Sequence, residues 1–223
     1  MGRWRGEGDV AVLSLAPDGP LPSPIFLRRC LTTLAEEGYT SVVTAALTTL
    51  EQLPFLTAGF EEHERLRLLI HDLANLALGP DALLRRAVDV DRPAVLAVDA
   101  ASFSPFWQLD EWSLQDAIEA TPFARFRVAF GPDGERGAVV GYAVAGRTPR
   151  RGYLQRLAVH PAWQGRGFGS ALVLDGLRWM RRRGVERAVV NTQLENAAAH
   201  ALYLRLGFRE APEGLAVLRK DLA

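Results

Sequence analysis

Between Val159 and Ala171 the chain reads His160-Pro161-Ala162-Trp163-Gln164-Gly165-Arg166-Gly167-Phe168-Gly169-Ser170. Glycines at 165, 167 and 169 carry no Cβ, so backbone N–H groups can turn toward one point. At the start of a helix those donors and the helix dipole form a seat for an anion. Arg166 adds a charge and a planar donor fork suited to phosphate. The spacing is G-x-G-x-G rather than G-x-G-x-x-G. Where a dinucleotide site needs an acid about 20 residues on, Glu186 only ends a loop.

The charge around the loop agrees with an anionic ligand. Residues 147–187 hold ten arginines against Asp175 and Glu186, net +8, inside a chain with 26 basic and 26 acidic residues. Part of that excess, Arg181 to Arg183, also suits the end of a helix as a solvated complement to its dipole. Overall neutrality argues against nucleic acid or an anionic membrane as partner.

Other chemistries find less support. His63, His71, His160 and His200 lack metal-ligand spacing, so no metal is expected. Ser170 has no His/Asp partner in view and serves better on phosphate. Cys30 is the single cysteine, which excludes an internal disulfide. The first nine residues are polar and unlike a signal peptide, and no run approaches the roughly 18 apolar residues of a membrane span. A soluble, cytoplasmic protein is the expectation.

These residues need elements to hold them. The pattern predicts strands at 10–15, 39–47, 84–90, 125–130, 138–146, 153–159, 185–193 and 215–222, with a strand or short helix at 66–73. Helices are predicted at 25–37, 50–57, 93–102, 114–119, 168–183 and 197–206; Gly38, Gly59, Gly184 and Gly207 stop four of them. Gly131-Pro132-Asp133-Gly134 reads as a hairpin turn. The alternation is that of a mixed α/β domain. Ala74–Asp81, with Gly79-Pro80, is the best boundary, giving domains 1–75 and 76–223.

The chain also resembles itself. Gly38 aligns with Gly184, Val43 with Val189, Phe55-Leu56 with Tyr203-Leu204, and Gly59-Phe60 with Gly207-Phe208. Leu15-Ala16-Pro17 resembles Val159-His160-Pro161, but Asp18–Pro24 stands where the glycine loop would be. Two strand–helix–Gly-Phe units from one duplication are the reading.

The glycine loop has a second motif behind it. Gln164, Gly167 and Gly169 fit Q/R-x-x-G-x-G/A after Leu157-Ala158-Val159-His160-Pro161. About 30 residues later Asn196-Ala197-Ala198-Ala199-His200-Ala201-Leu202-Tyr203 precedes Gly207-Phe208. Over residues 82–223 this resembles the GNAT superfamily of acetyl-CoA-dependent N-acetyltransferases. The resemblance implies a GNAT fold: a central mixed, mostly antiparallel sheet flanked by helices. The N-terminal part would be a degenerate half-GNAT lobe, similar in plan to tandem-GNAT enzymes such as mycothiol synthase with one lobe inactive.

Carried over residue by residue, the resemblance implies acetyl-CoA as co-substrate. The backbones of Leu157, Ala158 and Val159 would pair with the pantetheine arm. Gln164, Gly165, Arg166, Gly167, Phe168, Gly169 and Ser170 would hold the pyrophosphate. Asn196 would bond near the pantetheine, and Tyr203 would protonate the departing thiolate. An amine would attack the thioester directly. The nearest look is to ribosomal-protein N-terminal alanine acetyltransferases, through Ala97–Trp107 and the Asn196–Phe208 stretch. Those enzymes carry a glutamate where this chain has Asn191, and an amide cannot act as a base. Gln155 and Gln193 offer only amides too. A water chain, or Asp110, Glu111 or Asp116, would have to serve.

The acceptor, a small-molecule or peptide amine, is expected near Trp107, Asn191 and Gln193. Phe103, Phe106 and Trp112 would supply aromatic walls, and Asp99 with its acidic neighbours a negative charge. A monomer or homodimer is expected. The rival class is a CoA-binding regulator that performs no chemistry.

Overall fold

The computed structural model describes residues 2–4, 7–15, 19–80, 82–132 and 137–222. The chain runs β1 (Gly2–Trp4), β2 (Glu7–Leu13), α1 (Pro24–Glu36), β3 (Ser41–Thr44), α2 (Thr49–Thr57) and β4 (Glu61–His71). It continues through β5 (Leu84–Arg86), α3 (Arg92–Ser102), α4 (Glu111–Glu119), β6 (Phe123–Phe130), β7 (Val139–Arg147) and β8 (Arg151–Val159). It ends with α5 (Phe168–Arg182), β9 (Arg187–Gln193), α6 (Ala197–Arg205), β10 (Arg209–Glu210) and β11 (Leu215–Asp221). The architecture is the expected mixed, mostly antiparallel one with flanking helices. Among the described pairings only β2/β3 and β8/β9 are parallel.

Contacts divide the chain into two compact units. The first holds residues 1–68, 191–196 and 211–223; the second holds 69–190 and 197–210. This division does not coincide with a cut at 75/76. The C-terminal strand β11 pairs with β3 and β4 and so belongs with the N-terminal residues.

In the first unit the strand order is β1-β2-β3-β11-β4. Helices α1 and α2 close one core with it, built on Leu27, Leu31 and Leu34 of α1, Phe55 of α2, and Val42 and Leu218 of the strands. In the second unit the order is β9-β8-β7-β6-β5. Helix α5 buries Leu172, Leu174, Leu177 and Met180 in one core, which also takes Tyr203 and Leu206 of α6. Helices α3 and α4 supply Val95, Val98 and Leu114 to another core around Tyr142 and Ala158.

The two segments that resemble each other in sequence share local geometry. Each is a parallel strand pair bridged by a helix, β2–α1–β3 and β8–α5–β9, followed by a short helix and a strand. Tyr39 N–H donates to Leu34 O at 3.1 Å after Gly38, and Val185 N–H to Met180 O at 3.2 Å after Gly184. Phe60 N–H donates to Phe55 O after Gly59, as Phe208 N–H does to Tyr203 O after Gly207. All four glycines have positive φ, between 75° and 92°, the left-handed helix ending that favours this residue.

Two elements differ from the sequence pattern. The segment at 66–73 is strand and starts earlier, at Glu61, because pairing with β11 carries its charged first half. The strand predicted at 84–90 stops at Arg86. The Asp91 carboxylate accepts from Val88 N–H and from Arg85, and this bends the chain into a 3₁₀ turn at Asp89–Asp91. Residues 16–18, 81 and 133–136 lie outside the described residues. With them go parts of the Asp18–Pro24 loop, the 74–81 boundary and the predicted hairpin turn. No helix among the described residues is long and apolar enough to cross a membrane. No cluster of three or more metal-ligating side chains occurs among them either.

Candidate active site

Strand β8 leads into the glycine loop. His160 N–H donates to Val140 O at 2.9 Å. In an antiparallel ladder facing residues alternate between bonded and non-bonded pairs. With Tyr142 opposite Ala158, the backbone groups of Ala158 therefore face β7. Those of Leu157 and Val159 face the other edge. There β9 pairs with β8 only at Arg151–Tyr153, so beyond Tyr153 the edge is open to β9 among the described pairings. Of the three residues expected on a pantetheine arm, the backbones of Leu157 and Val159 face this open edge and that of Ala158 does not. The Val159 carbonyl already accepts from Gln164 Nε2 at 2.9 Å. Ser102 Oγ, which donates to Val98 O at 2.7 Å, lies 3.2 Å from the same oxygen.

A 3₁₀ turn at Pro161–Trp163 carries the chain from β8 to the loop, with His160 Nδ1 accepting from Ala162 N–H. Gly165 (φ +73°) and Gly167 (φ +89°) are both left-handed, and Gly167 is the residue before α5. The N–H groups of Phe168, Gly169 and Ser170 therefore open the helix with no partner inside it. A Cβ on Gly167 would stand 2.9 Å from Pro80, and one on Gly169 3.2 Å from Leu202 of α6. The Arg166 guanidinium stacks 4.7 Å from the centre of the Trp163 ring.

Tyr203 lies on α6, 4% exposed, packed 5.4 Å from Phe208. Its hydroxyl has no hydrogen-bond partner among the described residues. The other fully buried tyrosine, Tyr142, gives its hydroxyl to Asp99. Burial pushes the Tyr203 phenol well above its ordinary value, with the positive charge of Arg156 pulling the other way. The proton is thus held at every pH of interest.

Arg156 and Asp99 form a buried pair that sequence reasoning did not assign. Arg156 donates to both Asp99 oxygens at 2.8 Å and to the Trp107 carbonyl at 2.6 Å. Its guanidinium lies 3.6 Å from the centre of the Phe103 ring, and Asp99 also accepts from Leu109 N–H. The signal was present: Arg156 interrupts the buried Leu154/Ala158 alternation, and Asp99 follows Val95 on the inner face of α3.

The acceptor expectations need correction. Asp99 is fully buried and its oxygens are taken, so it offers no charge to an amine. Trp112 is 81% exposed. Asp110 caps α4 through Ser113 N–H, and Glu111 pairs with Arg92. Trp107 stays beside Phe106 in the segment that Arg156 clamps. Asn196 immediately precedes α6; with Asn191 and Gln193 it falls in the first unit, while Trp107, the glycine loop and Tyr203 fall in the second.

The open strand edge, the glycine-bounded helix start and the buried tyrosine all lie in the second unit. The Acetyltransferase (GNAT) family model matches residues 93–208, and the chain belongs to that family. Proteins named mycothiol acetyltransferase are similar: that of Amycolatopsis mediterranei is 33% identical over 69% of this chain and 56% of its own length. That of Saccharomonospora viridis is 33% identical over 53% of this chain and 42% of its own. The chain thus spans about half the length of these relatives. Among solved structures, a tandem GNAT protein from the clavulanic acid biosynthesis pathway has a TM-score of 0.64 at 14% identity, over 89% of this chain and 69% of that one. The ribosomal-protein-S18-alanine N-acetyltransferase of Escherichia coli has a TM-score of 0.51 at 20% identity, over 63% of this chain and 93% of that one. At such identities both are likenesses of fold.

Proposed function

We propose that this chain transfers an acetyl group from acetyl-CoA to a primary amine, with Tyr203 as general acid. The observation that carries the reading is the Tyr203 hydroxyl, which has no hydrogen-bond partner among the described residues although the residue as a whole is buried. A tyrosine that merely fills a core gives its hydroxyl a partner, as Tyr142 does.

The residues present fit the co-substrate. The Leu157 N–H and C=O and the Val159 N–H would pair with pantetheine amides. The Val159 carbonyl, engaged by Gln164, would not. The N–H groups of Phe168, Gly169 and Ser170 would receive the pyrophosphate at the positive end of α5. Arg166 would leave Trp163 or remain stacked on it as the charged rim, and Asn196 would bond near the arm. Acetyl-CoA supplies an activated thioester. The chain orients it, and Tyr203 supplies a proton to the departing sulfur. Burial penalises phenolate and thiolate alike, so the two groups rise together and the transfer stays feasible.

Asn191 stands where the enzymes that the sequence resembles carry a glutamate, and an amide cannot act as the base. The amine would lose its proton to water, with Trp107 at the acceptor side. We also read residues 1–75 as a degenerate half-repeat with a structural role and a cytoplasmic setting for the whole.

A thiol-release assay with a panel of primary amines and peptide N-termini tests this. An amine precursor of mycothiol heads the panel, from the name the relatives carry. Turnover with at least one amine, falling about 10²–10⁴-fold in Tyr203→Phe, is expected. Acetyl-CoA binding without thiol release would favour a CoA-binding regulator, the reading that the engaged carboxylates Asp99, Asp110 and Glu111 support.

A further inference from the structure

Helix α1 carries its charges against its own dipole. Arg28 and Arg29 stand in its first half, Glu36 and Glu37 at its end. Its first turn has no acid and its last turn no base, whereas a lone helix is stabilised by the opposite arrangement. None of these four side chains has an ion-pair or hydrogen-bond partner among the described residues.

The positions are ordered. Leu27, Leu31 and Leu34 face the core of the first unit. On the far side, Ile25, Arg29, Thr32 and Glu36 follow one another at steps of four, three and four, a straight exposed seam. Ile25 is 62% exposed, and Phe26, beside the seam, 58%. Helix α2 shares the same core, and its outer side shows Leu50 (65% exposed), Leu53 (54%) and Leu56 (44%) to solvent. Apolar side chains gathered on two adjacent helices mark an interaction surface rather than scattered exposure.

We propose that the outer face of α1 and α2 is a self-association surface whose occupant is a second copy of this chain. A two-fold axis through Thr32–Thr33 sets α1 antiparallel to its counterpart. Arg29 then stands opposite the partner's Glu36, and symmetry makes that contact twice. The pairing satisfies the charges that the isolated helix leaves unfavourable. The small threonines at the crossing allow close approach, and the leucines of α2 flank the seam.

Sedimentation or light scattering from about 1 to 100 μM, bracketing a micromolar Kd, should show a dimer. Arg29→Glu and Glu36→Arg should each raise Kd about tenfold or more, because each reversal makes two like-charge contacts. The double variant R29E/E36R should return to within about threefold of the parent, since complementarity is restored. Leu53→Glu should weaken the dimer while the circular-dichroism spectrum, and the melting curve measured below the parent's Kd, stay those of the parent. A chain monomeric throughout that range overturns the proposal. So does a dimer indifferent to both single reversals, or a double variant no tighter than the singles.

Discussion

Gln164 Nε2 donates to the Val159 carbonyl at 2.9 Å, fastening the first residue of the glycine loop to the last residue of β8. The two groups expected to hold opposite ends of one ligand, strand edge and phosphate loop, are thereby held at a fixed spacing. A neutral hydrogen bond is worth about 0.5–1.5 kcal/mol net, so Gln164→Ala should weaken acetyl-CoA binding by up to about tenfold with a small loss of stability. Titration calorimetry with acetyl-CoA measures the first, and urea unfolding the second.

The two left-handed glycines of the loop should behave differently. Gly165→Ala meets open space and carries only the backbone strain, about 1–2 kcal/mol. Gly167→Ala has the same strain and also drives a Cβ to 2.9 Å from Pro80. Denaturant unfolding should show the larger loss at Gly167. Gly167→Asp should further abolish the thermal shift produced by acetyl-CoA, because a carboxylate would stand against phosphate.

Breaking the Asp99–Arg156 pair from one side should be costly. Asp99→Ala leaves the Arg156 guanidinium buried without its partner, a loss of about 3–5 kcal/mol. Adding Arg156→Met should recover part of it. An additive double-variant result in urea unfolding would show that the two side chains are not coupled.

His71 should give the fold an acid-sensitive component. Leu73 N–H donates to Nδ1 at 2.8 Å, which leaves the proton on Nε2, 3.0 Å from Leu206 O. Burial lowers its pKa below the ordinary value, the Leu206 bond opposes this, and Asp72 and Arg209 act with opposite signs. The unfolded chain therefore takes up a proton first, near pH 6.5. The contribution is complete above that pH and is lost as pH falls through it. His71→Asn keeps an acceptor for Leu73 and removes the titration. The stability difference between parent and variant should shrink from pH 7 to pH 5.

Residues 1–75 should prove indispensable. β11 takes its strand partners from β3 and β4, both inside that segment, and Leu218 N–H donates to Thr44 Oγ1. Removing them leaves β11 with two open edges and its apolar face uncovered. The 76–223 chain should be recovered insoluble or aggregated. A soluble monomer with full acetyltransferase activity would contradict this.

Much of the site was legible because its signals are local. A glycine that must adopt positive φ shows in the sequence, and Gly38, Gly59, Gly165, Gly167, Gly184 and Gly207 all do so. The Asn196–Tyr203 motif precedes a helix end set by Gly207 within a few residues. Period and punctuation also marked the helices, and the likeness of the two strand–helix–strand segments showed because both end their helices at a glycine.

Tertiary structure decided what depends on chain-distant partners. Asp99 looked like a charge available to an amine; Arg156, 57 residues away, consumes it. Ala158 looked equivalent to its neighbours until the register with β7 assigned its backbone to that ladder. The sequence pattern began β4 only at Leu66; pairing with β11 extends it back to Glu61. The sequence by itself determined which residues can bend, cap and turn, since those preferences are settled by each residue's own backbone. Only the folded chain decided which polar groups find partners, Asp99 with Arg156 above all, because a hydrogen bond is satisfied or vacant according to what the fold brings beside it.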